Sequence, residues 1–142
     1  MSSDQVCDAL NRIIAIHDGS LAIYLSDAVP WVGDNNSAQE TVSSIASQQR
    51  ATIDRLVCMV LDLGGDVRHG SFASEFAGYH DLSLDFLLRE MISLQQANIS
   101  TIESVAEGMA ESAAKSVAEE TLGSAREQLM MLGELSATPA IL

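Results

Sequence analysis

Between Pro30 and Pro139 the chain has no proline, so most of its length lacks the residue that most reliably breaks a helix. That interval is rich in Ala, Leu, Glu, Gln and Met, whose side chains lose little freedom in a helix. Its apolar residues recur at i, i+3, i+4 and i+7, the spacing of one helix face. An all-α fold follows. With 142 residues, the chain fits one domain, 1–142, large enough to bury a core.

Four helices are predicted, over about 3–29, 38–63, 82–109 and 116–133, with a tail at 134–142. The first opens at a capping box, Ser2-x-x-Gln5. Its stripe runs Leu10, Ile13, Ile14, His17, Leu21, Tyr24, Leu25, Ala28, and Pro30 ends it. Residues 30–36, including Trp31 and Val32, read as a turn. The second helix opens at Ser37-x-x-Glu40 and carries Val42, Ile45, Gln49, Thr52, Leu56, Met59, Val60, Leu63 before Gly64-Gly65 stops it. The third takes Asp81 as N-cap and presents Leu84, Leu87, Leu88, Met91, Gln95, Asn98, Ile99, Ile102, Val105, Met109. The fourth, capped by Ser116-x-x-Glu119, presents Val117, Thr121, Leu122, Ala125, Gln128, Leu129, Leu132 and stops at Gly133. Beyond it, Ile141 and Leu142 are placed to dock on the body.

The short link at 30–36 makes the first two helices an antiparallel hairpin. The stretch from Gly64 to His80 is different, because connections between bundle helices usually span about 2–8 residues. A segment this long fits a crossover that travels the length of the domain and makes the third helix parallel to the second. Phe72, Phe76 and Tyr79 are placed to pin it, with a short helix at Ser74 to Gly78. The prediction is thus a four-helix bundle of two antiparallel hairpins, joined by a long crossover between helices 2 and 3.

Twenty Asp and Glu against seven Lys and Arg give a formal net charge of −13. Such a surface repels phosphate backbones and anionic lipid, so neither nucleic acid nor membrane is expected as a partner. No apolar run approaches the roughly 18 residues of a membrane span, and the N-terminus lacks the basic and apolar blocks of a secretory signal. A cytoplasmic location is expected. Cys7 and Cys58, in no metal-ligand pattern, read as two reduced, buried thiols. No nucleophile elbow or phosphate-binding glycine loop is present.

Hairpin, crossover, hairpin is also the topology of ferritin-like bundles. The run Leu10-Asn11-Arg12-Ile13-Ile14-Ala15-Ile16-His17, followed by Tyr24-Leu25, resembles the first helix of bacterioferritin- and rubrerythrin-like proteins. Asp54-Arg55-Leu56 through Leu63-Gly64-Gly65 resembles the end of their second helix. The resemblance implies a core di-iron centre, built from a Glu on two helices and a Glu-x-x-His pair on each of the other two. At the matching positions this chain has His17, with Asp18 beside it; Gln49 and Thr52; Gln95; and Ala125 and Gln128. The carboxylates that would neutralise two cations are replaced by neutral groups, and no metal or other cofactor is expected. His17, Gln49, Thr52, Gln95, Asn98 and Gln128 are instead expected to form a neutral polar cluster at that depth, satisfying one another across the core with room for a trapped water. A weaker surface metal set is His69, Glu75 and His80.

The resemblance also implies dimerisation through the first two helices. Apolar residues off the main stripes, Ile16, Ile23, Ile53, Val57 and Leu61, fit a second buried face in a homodimer or larger homo-oligomer. Trp31 is either an interface anchor or a cap on the core. The function expected is a metal-free, non-catalytic structural or interaction module. Two alternatives share the scaffold. One is a metal-binding protein, storing iron or running di-metal oxidoreductase chemistry, with a shifted ligand set around His17, Asp18 and surface acids. The other is a small-ligand-binding module using the former metal cavity.

Overall fold

The computed structural model describes residues 1–28, 36–79 and 83–137. Trp31 and its turn, His80, the expected cap Asp81, and Ile141 and Leu142 lie outside them. The described residues form an all-helical protein with no strand: α1 (Ser3–Asp18), α2 (Leu21–Ala28), α3 (Asn36–Asp62), a 3-10 helix (Ser74–Tyr79), α4 (Leu84–Glu107) and α5 (Ala113–Ala137). No helix among them is long and apolar enough to cross a membrane.

The start of α1 follows the sequence. Ser2 Oγ accepts the Gln5 N–H at 3.2 Å, and the Gln5 side chain accepts the Ser2 N–H at 2.9 Å, a reciprocal capping box. The continuous helix expected over 3–29 is, however, two helices. The Gly19 N–H donates to Ala15 O, the Ser20 N–H donates to His17 O, and Ser20 restarts the chain as α2 by accepting the Ile23 N–H on its Oγ at 3.4 Å. Gly19 suits the break because a Cβ there would sit 3.2 Å from Ser71 O, against the segment that follows α3. The apolar stripe passes through the interruption without losing phase, which hides it from periodicity.

At the end of α3, Gly64 takes a left-handed φ of 78°. Its N–H donates to Leu61 O, and the Gly65 N–H donates to Val60 O, each at 3.0 Å. These paired bonds satisfy the last carbonyls of α3 and turn the chain out of the helix.

The connection from α3 towards the 3-10 helix then lies along α1. A Cβ on Gly65 would fall 2.5 Å from Cys7 Sγ, and one on Gly70 would fall 2.7 Å from Ala15 O. Between them, buried Asn11 donates to Asp66 O at 2.9 Å and accepts the Arg68 N–H at 2.7 Å. Farther on, Asp18 Oδ2 accepts from His69 Nδ1 at 2.8 Å and from the Gly70 N–H at 2.9 Å. The segment finishes in aromatic contacts of Tyr24 with Phe72 and Phe76, and of Phe76 with Tyr79. Phe76 is buried. These are the aromatics expected to pin it.

Three expected boundaries move. The cap of α4 is Ser83, whose Oγ accepts the Phe86 N–H at 3.2 Å. The cap of α5 is Ser112, whose Oγ accepts the Lys115 N–H at 3.2 Å, rather than Ser116, which lies one turn inside and donates its hydroxyl to Ser112 O. Nor does Gly133 stop α5, which runs through 134–137 of the expected tail. Leu132 is buried and Leu135 packs on the core, so burial outweighs the roughly 1 kcal/mol propensity cost of a helical glycine.

The core is two apolar clusters. The first joins Leu10, Ile13 and Ile14 of α1, Leu56 and Val60 of α3, Ile102 and Val105 of α4, and Val117 and Leu122 of α5. The second joins Leu21 and Leu25 of α2, Val42 and Ile45 of α3, Phe76 of the 3-10 helix, Leu87, Leu88 and Met91 of α4, and Leu132 of α5. Burial of each large side chain contributes about 1.5–3 kcal/mol. Ile16, Ile53 and Val57 pack against the first cluster and Ile23 is buried. Of the second apolar face expected for self-association, Ile16, Ile53 and Val57 are thus only partly covered within the chain, and Leu61 is 58% exposed. Cys7 is buried but Cys58 is exposed, unlike the buried pair expected; both are free thiols.

Candidate functional site: a neutral polar layer in the core

Between the two apolar clusters lies a layer of buried polar side chains: His17, Ser20, Gln49, Gln95 and Gln128. Each glutamine interrupts an apolar stripe at the same depth. Gln49 falls between Ile45 and Leu56, Gln95 between Met91 and Ile102, and Gln128 between Ala125 and Leu132.

The layer is held by directional bonds across three helices. Gln128 Oε1 accepts from Gln49 Nε2 and from Gln95 Nε2, both at 3.2 Å. Gln95 Nε2 also donates to the Ala125 carbonyl at 2.9 Å, and Gln128 Nε2 donates outward to Gln48 Oε1 at 3.2 Å. The Ser20 hydroxyl donates to Gln49 Oε1. Because Ser20 also caps α2, the break in the first helix and the polar layer meet at one residue.

His17 is 5% exposed, and its Nδ1 lies 2.9 Å from Ile13 O. A carbonyl only accepts, so Nδ1 carries the proton and Nε2 of the neutral ring is left as an acceptor. Desolvation by burial lowers the His17 pKa below its usual 6.5, against the opposing pull of the Ile13 carbonyl and of Asp18. Beside the ring is a cavity of about 10 Å3, room for about one water, lined by Ile16, His17, Ser20, Gln49, Gln95, Asn98, Ile102 and Ala125.

Of the polar cluster expected from sequence, Gln49, Gln95 and Gln128 come together, with His17 and half-buried Asn98 on the same cavity. Thr52 does not join them: its hydroxyl donates along its own helix to Gln48 O at 3.1 Å. Ser20, Gln48 and the Ala125 carbonyl are members that sequence reasoning missed. Ser20 had a signal, since Gly19-Ser20 is a weak-helix pair ahead of an apolar run. Of the surface set, His69 bonds Asp18 rather than Glu75, which is exposed in the 3-10 helix.

A di-metal centre does not fit this donor set. The layer offers amides, one hydroxyl and one imidazole, with no carboxylate among the lining residues to offset the charge of two cations. The amide oxygens of Gln49 and Gln128 are already engaged by protein donors. Nor do His17 and Asp18 converge, since the imidazole lies in the core while the carboxylate bonds His69 and the Gly70 N–H. Among the described residues no group of three or more His, Cys, Asp or Glu is placed to hold a metal ion. No family model, curated protein or solved structure matches this chain.

Proposed function

We propose that this chain is a ferritin-like four-helix bundle, metal-free and non-catalytic, that serves as a structural or interaction module. Its four rods would be α1 with α2, then α3, α4 and α5. Support for the topology comes from the crossover, which leaves α3 beside Cys7 and reaches Tyr24 before α4 begins. Both apolar clusters draw on all four rods, as a bundle core does. The chemical role of the layer is to fix register, because sliding one helix past another breaks buried amide bonds that apolar contacts would tolerate.

The observation that carries the reading is the double acceptance at Gln128 Oε1, where buried amides satisfy one another at the depth the resemblance assigns to iron. Elemental analysis of purified protein, before and after addition of Fe(II), tests it. Metal well below one ion per chain is expected, with no iron-dependent absorbance; two ions per chain would overturn it. Self-association belongs to the same proposal, with Leu61 and Leu63 as exposed apolar side chains near the end of α3.

A further inference from the structure

Among the described residues, the polar layer has acceptors that no protein donor meets. Neutral His17 presents Nε2, because its proton is on Nδ1 and committed to Ile13 O. Gln95 spends its Nε2 on Ala125 O and Gln128 Oε1, and among the described residues no donor reaches its Oε1. Both side chains are buried, at 5% and 7% exposure, and both line the same cavity of about 10 Å3. A buried acceptor without a donor is costly, and native cores seldom leave two together.

We infer that this cavity is a binding site for one water molecule, held by donation to His17 Nε2 and Gln95 Oε1 and reached past the half-buried Asn98. The inference deepens the reading of the layer as neutral and metal-free. A water fits in size, since the cavity has the volume one needs, and it supplies the two donors the acceptors lack. A cation of similar radius fits less well. The lining contains no carboxylate, and the nearest one in sequence, Asp18, is turned to His69 and the Gly70 N–H. An unpaired cation here would lose its hydration with no counter-charge. Ser20 gives its proton to Gln49 Oε1, which leaves Gln95 Oε1 to the water.

The test is nuclear magnetic resonance on 15N-labelled full-length protein near neutral pH. The long-range 1H–15N spectrum is expected to place the His17 proton on Nδ1, and a rotating-frame experiment is expected to show a slowly exchanging water at the ring Hε1. Oxygen-17 relaxation dispersion should count one more long-lived water in the wild type than in Asn98→Leu, which puts a larger apolar side chain at a lining position. An Nε2–H tautomer, no slow water at the ring, or equal counts in the two proteins would each overturn the inference. Should Asn98→Leu fail to fold, the wild-type ring signal decides alone. A dry cavity in a metal-free protein sinks this proposal only, whereas stoichiometric metal on elemental analysis sinks the reading beneath it.

Discussion

Gln49 of α3 and Gln128 of α5 are joined by a 3.2 Å amide–amide hydrogen bond, with both side chains buried. Truncating Gln128 to Ala removes the acceptor that Gln49 shares with Gln95, and strands two donors in a place water reaches poorly. The expected loss is about 2–5 kcal/mol of unfolding free energy, read from urea midpoints at constant slope. Replacing Ser20 by Ala and Gln49, Gln95 and Gln128 together by Met removes donors and acceptors at once. That quadruple variant should lose less than the sum of its single substitutions, because the bonds form one network. Additive losses would show the bonds to be independent.

The pH dependence has a defined sign. The His17 pKa in the folded protein lies below the 6.5 of the unfolded chain, so the unfolded state binds the proton first as pH falls. Stability is therefore full above pH 6.5 and is expected to decline from there towards the folded-state value, ahead of the carboxylate range. Urea midpoints at pH 7.5, 6.0 and 5.5 should show the decline in wild type. His17→Gln should be flat over that window; an equal slope in both would assign the effect elsewhere.

Glycine substitutions separate close approach from propensity. At Gly70 a Cβ would meet backbone and side-chain atoms of Ala15, the nearest at 2.7 Å, so Gly70→Ala should cost about 1–3 kcal/mol. Within α5, Gly123 has nothing within 4 Å of an added Cβ. There Gly123→Ala should gain about 0.5–1 kcal/mol from helix propensity. Thermal melts of the pair should shift in opposite directions.

Two serines compete for one helix start. Ser112→Ala removes the hydroxyl that accepts the Lys115 N–H and should cost about 0.5–2 kcal/mol. Ser116→Ala, inside the exposed first turn, should cost little or slightly stabilise. The reverse order in thermal unfolding would restore Ser116 as the cap.

How much of this was legible depends on whether the signal is local. The stripes from Leu10 to Leu25, Val42 to Val60 and Leu84 to Val105 mark buried faces because burial follows the 3.6-residue period. Gly64-Gly65 stops α3 as read, since a left-handed φ selects glycine. The glutamines could be placed at one depth only through the resemblance, which matches each to a metal-ligand position. Long-range features were not legible. The break at Gly19 depends on Ser71 arriving from a segment far along the chain. Thr52 sits on the expected stripe, yet its hydroxyl is satisfied on α3 itself. Gly133 carries a stop signal in isolation but is carried through by Leu132 and Leu135. Asn11, whose side chain bonds both flanks of Val67, looks like an ordinary polar residue until the crossover is in place.

The fit of Gly70 against Ala15, with Asn11 and Asp18 grasping the backbone on either side, bears on how the chain meets a protease. A protease cleft accepts an extended stretch of chain standing clear of its neighbours, and the glycines and exposed polar residues of 64–75 would ordinarily invite a nick. Between Gly65 and Gly70 the main chain lies against α1, so cutting there is expected to await local release of that stretch, at a rate set by the opening rather than by surface exposure.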